Sequence, residues 1–480
     1  MITITRRTAR NLRTVFRKAF GGSKSTNPTV TFESNEQGLF AWAKFQGLVL
    51  INQIAETQSH ETVHVPLNAL AECEAASDQP VEIESTSTNG STANATLRWQ
   101  DGDVPQVAEF ETNTANTDQP AWPEQTRLAS ADLLQALSDA AEITDQSSSR
   151  YALDCIQLMG ASGRIAATDG KQMLVTSGFD FPWEEDLLVP ANGVFKHRAL
   201  MTSDDIFTGR TDDHVVIMAG PWTVFLPIDA DRKFPDAMSH IPNRNEAQSS
   251  VTITETDAEF VSKSIKRLPS TDDHYQPVTL DVNGRVVIRA EADCRQPTEL
   301  VLTNSTMTGT PTRINTNRRY IERAAKLGLR NLNLYGPDRP AHGCDDSRDY
   351  VWIPLTQDGI VDPTDDCIRI ESPVADASSN RIQALPPRPE QPSTPGKRQP
   401  NTMKRPPQTH STSTTTTTTT NAEAAGVDAM IESAEAVRTS LREAATTVSR
   451  LIAELKRHRK QSKTIRTALS SLRELDTIGA

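Results

Sequence analysis

The spacing of apolar positions changes character along the chain, and each change marks an element. Met1–Thr5 alternates apolar and polar residues, as a short half-buried strand does. From Arg6 to Phe20 the period becomes helical. Leu12, Phe16 and Ala19 form one stripe of that helix. Arg6, Arg10, Arg13 and Arg17, spaced four, three and four apart, form a second stripe rotated well away from the first. Helical spacing returns at Ser130–Ala141 and Ala258–Leu268. A second helix follows an extended stretch in each region: Val63-His64-Val65-Pro66 precedes Leu67–Glu72, Leu188-Val189-Pro190 precedes Ala191–Leu200, and Arg313-Ile314-Asn315 precedes Arg318–Leu327. The Val-Pro pairs suit this junction, because proline is tolerated where a strand ends and a helix begins.

Between the helices the period is two. Residues 150–174 read as two strands joined at Gly160–Gly163, followed by a tight turn at Thr168-Asp169-Gly170. Val251–Thr254 and Val278–Val282 alternate, and Asn283-Gly284 supplies a hairpin turn before Arg285–Ile288. The fold class predicted is α+β.

Beyond Gln357 the pattern ends. Residues 386–407 are rich in proline, and Thr414–Thr420 is an unbroken threonine run, so neither stretch can bury a core. A coil of about 50 such residues has a root-mean-square reach of roughly 40 Å. A heptad pattern then runs through Val427, Met430, Ala434, Val437, Leu441, Ala444, Val448, Leu451 and Leu455, and resumes at Ile465, Leu469 and Leu472. It predicts one long helix in a coiled coil, either with the same helix of a second copy or with another partner. Lys456–Lys460 makes a basic block inside it, either a solvated face or a contact for nucleic acid or an acidic partner.

Composition narrows the function. The chain has 480 residues and a net charge of −12, so no global electrostatic attraction to DNA exists and any DNA contact must come from a local basic surface. Cys73, Cys155, Cys294, Cys344 and Cys367 lie far apart with no C-x-x-C pair, which suits buried thiols in a reducing compartment better than disulfides or zinc. No apolar run is long enough to span a membrane, and the N-terminus lacks the apolar core of a secretion signal. These features point to a cytoplasmic protein. His342, Cys344, Asp345 and Asp346 cluster in a loop but match no common metal spacing, and no P-loop or G-x-S-x-G is present, so the reading is non-enzymatic, without cofactor or metal.

Three short segments, in order, carry a family resemblance. Arg150–Leu174 resembles the middle domain of the bacterial DNA polymerase III β sliding clamp, where an Arg-x-x-Leu strand leads to an Ala-Thr-Asp-Gly turn. Phe234-Pro235-Asp236 with Ile241-Pro242 resembles that family's linker into its third domain, and Tyr350–Leu355 resembles its C-terminal strand. The resemblance implies three clamp-type domains, at 1–123, 124–245 and 246–357, in which the helical segments above become a faint threefold repeat of a strand–helix unit. Beyond them the composition predicts a disordered linker at 358–423 and the heptads a coiled-coil helix at 424–478. It implies a ring homodimer around double-stranded DNA, and an apolar cleft for the peptide tails of DNA polymerases and the clamp loader. Leu153, Met173, Pro235, Val351, Ile353, Pro354 and Leu355 would line that cleft, with Thr168, Gly170, Lys171, Gln172 and His240 at its rim. The DNA-facing residues implied are Arg6, Arg10, Arg13, Arg17 and Lys24, then Lys196 and Arg198, then Arg319, Arg323 and Lys326. A solvated charged face is the other reading of the arginine stripe. The chain departs from the family where Lys171-Gln172 replaces a common His-Arg, where His240 replaces an aliphatic residue, and where Thr356 replaces a basic one. These departures keep open a second function, a clamp-derived scaffold that recruits partners through its C-terminal helix.

Overall fold

The computed structural model describes residues 1–374 apart from 22–25, 56–59, 88–91, 114–117, 146, 148–150, 204, 271, 273–274 and 294. Lys24, Cys294, most of the proline/threonine segment and the heptad helix lie outside the described residues.

The N-terminal helix α1 (Arg6–Phe20) forms because residues 6–20 hold no glycine or proline and begin after a capping threonine. The Thr5 hydroxyl accepts from the Thr8 amide at 3.0 Å. The helix buries Ala9, Leu12, Val15, Phe16, Ala19 and Phe20 and stops at Gly21, whose φ of +83° suits glycine. Five more helices follow among the described residues: α2 (Ala69–Cys73), α3 (Leu133–Ala141), α4 (Arg198–Met201), α5 (Glu255–Ser264) and α6 (Arg318–Lys326). The order strand, helix, strands, helix, strands occurs three times among the described residues. Its opening strands are Ile2–Thr5, Thr126–Ala129 and Ser249–Thr252, each running into α1, α3 or α5. The faint repeat in sequence is therefore a repeat of architecture.

Sheets fuse neighbouring repeats. Strand Leu48–Ala55 pairs antiparallel with Trp222–Pro227, giving one eight-stranded sheet across the first and second repeats. Strand Gln172–Ser177 pairs antiparallel with Arg348–Trp352, giving one nine-stranded sheet across the second and third. Four- and five-stranded sheets complete the described fold. Helices pack against the sheets over an extended core that includes Phe16, Phe32, Phe195 and Trp352.

The expected hairpins form. Strands Cys155–Met159 and Arg164–Thr168 meet at Gly163, where φ is +60° and a Cβ would lie 1.9 Å from the Phe179 carbonyl oxygen. Asn283-Gly284 turns Pro277–Val282 into Val286–Ala292. The linker expected from 358 is corrected. Gln357–Gly359 is a 3-10 turn, and Ile368–Glu371 adds a parallel strand beside Arg295–Leu302. The Ser372 amide donates to the Val301 carbonyl at 2.9 Å, so backbone pairing orders a segment that composition read as linker.

Candidate partner cleft and basic surface

The cleft begins with the turn between Arg164–Thr168 and Gln172–Ser177. Gly170, at φ +84°, allows the chain to reverse. The Thr168 hydroxyl donates to the Gln172 carbonyl at 2.7 Å, and one Asp169 carboxylate oxygen accepts from the amides of Lys171 and Gln172 at 2.7 and 2.9 Å. These bonds close the turn internally. Met173 lies opposite Val351 in the nine-stranded sheet, and the Ile353 amide donates to the Lys171 carbonyl at 2.9 Å. Segment 234–241 crosses above, burying Phe234 and Ala237 against Met173 and Val351.

The result is a cavity of about 240 Å³, space for one or two side chains. Thr168, Gly170, Lys171, Gln172, Met173, Pro235, His240, Val351 and Ile353 line it, so the fold brings these nine expected residues together. Three expected residues do not line it. Leu153 stands behind the turn, with Cδ1 3.9 Å from where a Cβ on Gly170 would be. Pro354 and Leu355 lie past the cavity, because the Leu355 amide donates to the Asn315 carbonyl at 2.7 Å and draws the chain toward the next sheet. Asp236, Ala237, Pro340 and Trp352 line it unannounced. The first two adjoin Pro235 in the motif already noted; Pro340 comes from a loop that carries no local signal. The cavity floor is apolar, and Ile353 stands at the mouth 53% exposed.

Gln172 ties this cleft to a helix. Its side-chain oxygen accepts from the Tyr350 hydroxyl at 2.7 Å and from the Arg323 guanidinium at 2.9 Å, while its amide nitrogen donates to Asp169 at 2.8 Å. Tyr350 is fully buried, and burial pushes its hydroxyl far above the ordinary tyrosine range.

The basic residues divide in a way spacing did not reveal. Arg6 is buried. Its guanidinium donates to the carbonyls of Cys73 and Gln100 at 2.9 and 2.8 Å and pairs with Asp101 at 3.1 Å. Arg13 pairs with Glu74 at 2.6 Å. The expected stripe of four outward arginines is thus corrected: Arg6 and Arg13 flank the packed face of α1 and act structurally. Arg10, Arg17 and Lys18 are exposed, and among the described residues no carboxylate pairs with them. Lys196 pairs with Glu142, and Lys326 with Glu322 at 2.6 Å. Arg323 is turned inward to Gln172. Arg198 and Arg319 are exposed, with no ion pair among the described residues.

These elements adjoin. The Asn192 side chain donates to the Ala19 carbonyl at the end of α1 at 2.9 Å, and a Cβ on Gly193 would lie 3.2 Å from the Lys18 side chain. Lys196 meets Glu142 just beyond α3, and Glu142 lies 4.0 Å from Arg323 of α6. Helical segments of all three repeats therefore form one row.

The cluster expected in a loop begins on a strand instead: His342 and Cys344 lie in Ala341–Cys344, paired on both sides, and Asp345 and Asp346 follow it. His342 is fully buried with Nε2 2.8 Å from Asp349, which also pairs with Arg244 at 2.9 Å. Burial pushes the Cys344 thiol up, the opposite of what a nucleophile needs. Among the described residues no group of three or more His, Cys, Asp or Glu side chains could hold a metal ion, and no helix is long and apolar enough to cross a membrane.

Three strand–helix repeats fused edge to edge, with helices in one row, define a processivity-clamp fold. The particular likeness is to the bacterial DNA polymerase III β subunit, the sliding clamp. A sliding clamp from Pseudomonas aeruginosa, solved bound to griselimycin, superposes with a TM-score of 0.60 at 17% identity, covering 74% of this chain and 99% of that one. The β subunit of Streptococcus pyogenes gives 0.60 at 11% identity, and a putative β subunit from Eubacterium rectale gives 0.58 at 13%, with the same coverage. No protein-family profile and no curated protein matches the chain. The chain thus shares the clamp fold over nearly the whole length of those proteins and diverges from them in sequence.

Proposed function

We propose that this protein is a divergent DNA sliding clamp, a non-enzymatic tether built of three domains, at 1–123, at 124–245 and from 246 through the strand that ends at Glu371. Two copies form a ring around double-stranded DNA in the cytoplasm, and the cleft at Met173, Val351 and Ile353 holds a short peptide of a polymerase or clamp loader. The observation that carries this reading is the helical row with its exposed cations, Arg10, Arg17, Lys18, Arg198 and Arg319, which have no ion pair among the described residues, presented by a chain of net charge −12. A local basic surface on an acidic protein meets DNA without adhering generally to polyanions. Loose, screened phosphate contacts favour sliding, since tight contacts would fix the ring in place. The cleft supports the second half of the reading: an apolar pocket beside an exposed aliphatic residue suits a peptide anchor.

The test is topological. The full chain, assembled on nicked circular DNA, should be retained and then released when the circle is linearised. Equal retention before and after linearisation refutes encirclement and leaves the scaffold function, with partner recruitment through the C-terminal heptad segment, as the surviving reading.

A further inference from the structure

We infer that Lys171 makes the cleft selective for acidic peptides, reading a carboxylate that flanks the apolar anchor. This rests on the cleft being a peptide site. Its charged groups are unequally available. Asp169 is consumed by the turn, accepting from two backbone amides and from the Gln172 side chain. Asp236 accepts from the Ser239 amide at 3.3 Å. Gln172 has both ends of its side chain engaged. Lys171 is exposed at the rim, and no carboxylate among the described residues pairs with it.

The lysine is also positioned. Its ammonium lies 5.3 Å from the centre of the Tyr275 ring, and that ring is 41% exposed. An aromatic face attracts a cation without neutralising it. The ammonium is thereby held at the cleft mouth with its charge available. Ile353 and Lys171 are joined through backbone, so the apolar mouth and the cation form one unit. An extended peptide advances about 3.3 Å per residue, so a carboxylate one or two positions from the anchor is within reach of the lysine side chain.

The probe is a blocked hexapeptide, acetyl-Glu-Ala-Leu-Phe-Ala-Glu-amide, titrated into the full chain beside its version with both Glu replaced by Gln. Wild type should bind the Glu peptide about 5-fold more tightly at low salt, the size of a partly exposed ion pair, and the gap should shrink as salt rises. Lys171→Gln should abolish the preference, and Lys171→Glu should reverse it. Equal affinity of wild type for both peptides, with binding lost in Ile353→Ser, overturns the inference while the cleft reading stands. Binding of neither peptide overturns both.

Discussion

Gln172 and Arg323 meet at 2.9 Å although 151 positions separate them in the chain. One residue borders the cleft and the other belongs to the helical row, so a single hydrogen bond joins the two proposed working surfaces. The same oxygen accepts from buried Tyr350, so the bond also satisfies a hydroxyl with no access to water.

Removing that acceptor should be costly. Gln172→Ala strands the Tyr350 hydroxyl and should lower stability by about 1–3 kcal/mol, read from the urea midpoint. Tyr350→Phe removes hydroxyl and need together, and should cost about 1 kcal/mol or less beyond packing. Equal losses in the two variants would show that Gln172 is not the satisfying partner.

The arginines of α1 should separate by role. Replacing Arg10, Arg17 and Lys18 with Glu should weaken DNA retention and flatten its salt dependence while the melting temperature holds. Arg6→Ala should do the reverse, destabilising by about 1.5–3 kcal/mol through the carbonyls of Cys73 and Gln100 that it leaves unbonded. If Arg6→Ala is as stable as wild type, the buried placement of that guanidinium is wrong.

The cleft separates packing from binding in the same way. Ile353→Ser should cost peptide affinity at least about 10-fold while stability stays within about 0.5 kcal/mol, because the side chain is exposed. Met173→Glu, the substitution that the apolar floor first suggests, forces a charge into a buried site and should unfold the region rather than report on binding. Calorimetric melting beside peptide titration distinguishes the two.

Acid should weaken the fold through Glu299. Burial raises the pKa of this carboxyl, but hydrogen bonds from Arg289 and Arg369 outweigh it and hold the carboxyl below the usual range. A depressed folded pKa means full stabilisation above the unfolded value of about 4.3 and progressive loss as pH falls through the folded value. Urea midpoints should therefore be flat from pH 7 to about 5 as far as this group is concerned, then fall. Glu299→Gln should start lower and show a shallower acid limb; an acid limb of unchanged slope would remove Glu299 from the explanation.

What the sequence determined was whatever depends on near neighbours. The apolar spacing of Leu12, Phe16 and Ala19 placed α1 and its packed face, since three- and four-residue steps fall on one side of a helix. Thr168, Asp169 and Gly170 fixed the turn at the cleft because their bonds close within five residues. Met173, Pro235 and Ile353 were legible as cleft residues through short motifs, not through any physical property of those side chains taken alone. What only the tertiary structure decided depends on distant partners. Four similarly spaced arginines look alike in sequence; Cys73, Glu74 and Asp101, brought up from elsewhere, hold Arg6 and Arg13, while no carboxylate among the described residues pairs with Arg10 or Arg17. Ile368–Glu371 has no strand pattern long enough to read, and becomes a strand because the edge of Arg295–Leu302 offers it hydrogen bonds. Gln172 is a polar residue beside a turn until the fold sets Arg323 and Tyr350 against its side-chain oxygen. Periodicity is a property of the local backbone, and pairing is a property of closure, which no local pattern contains.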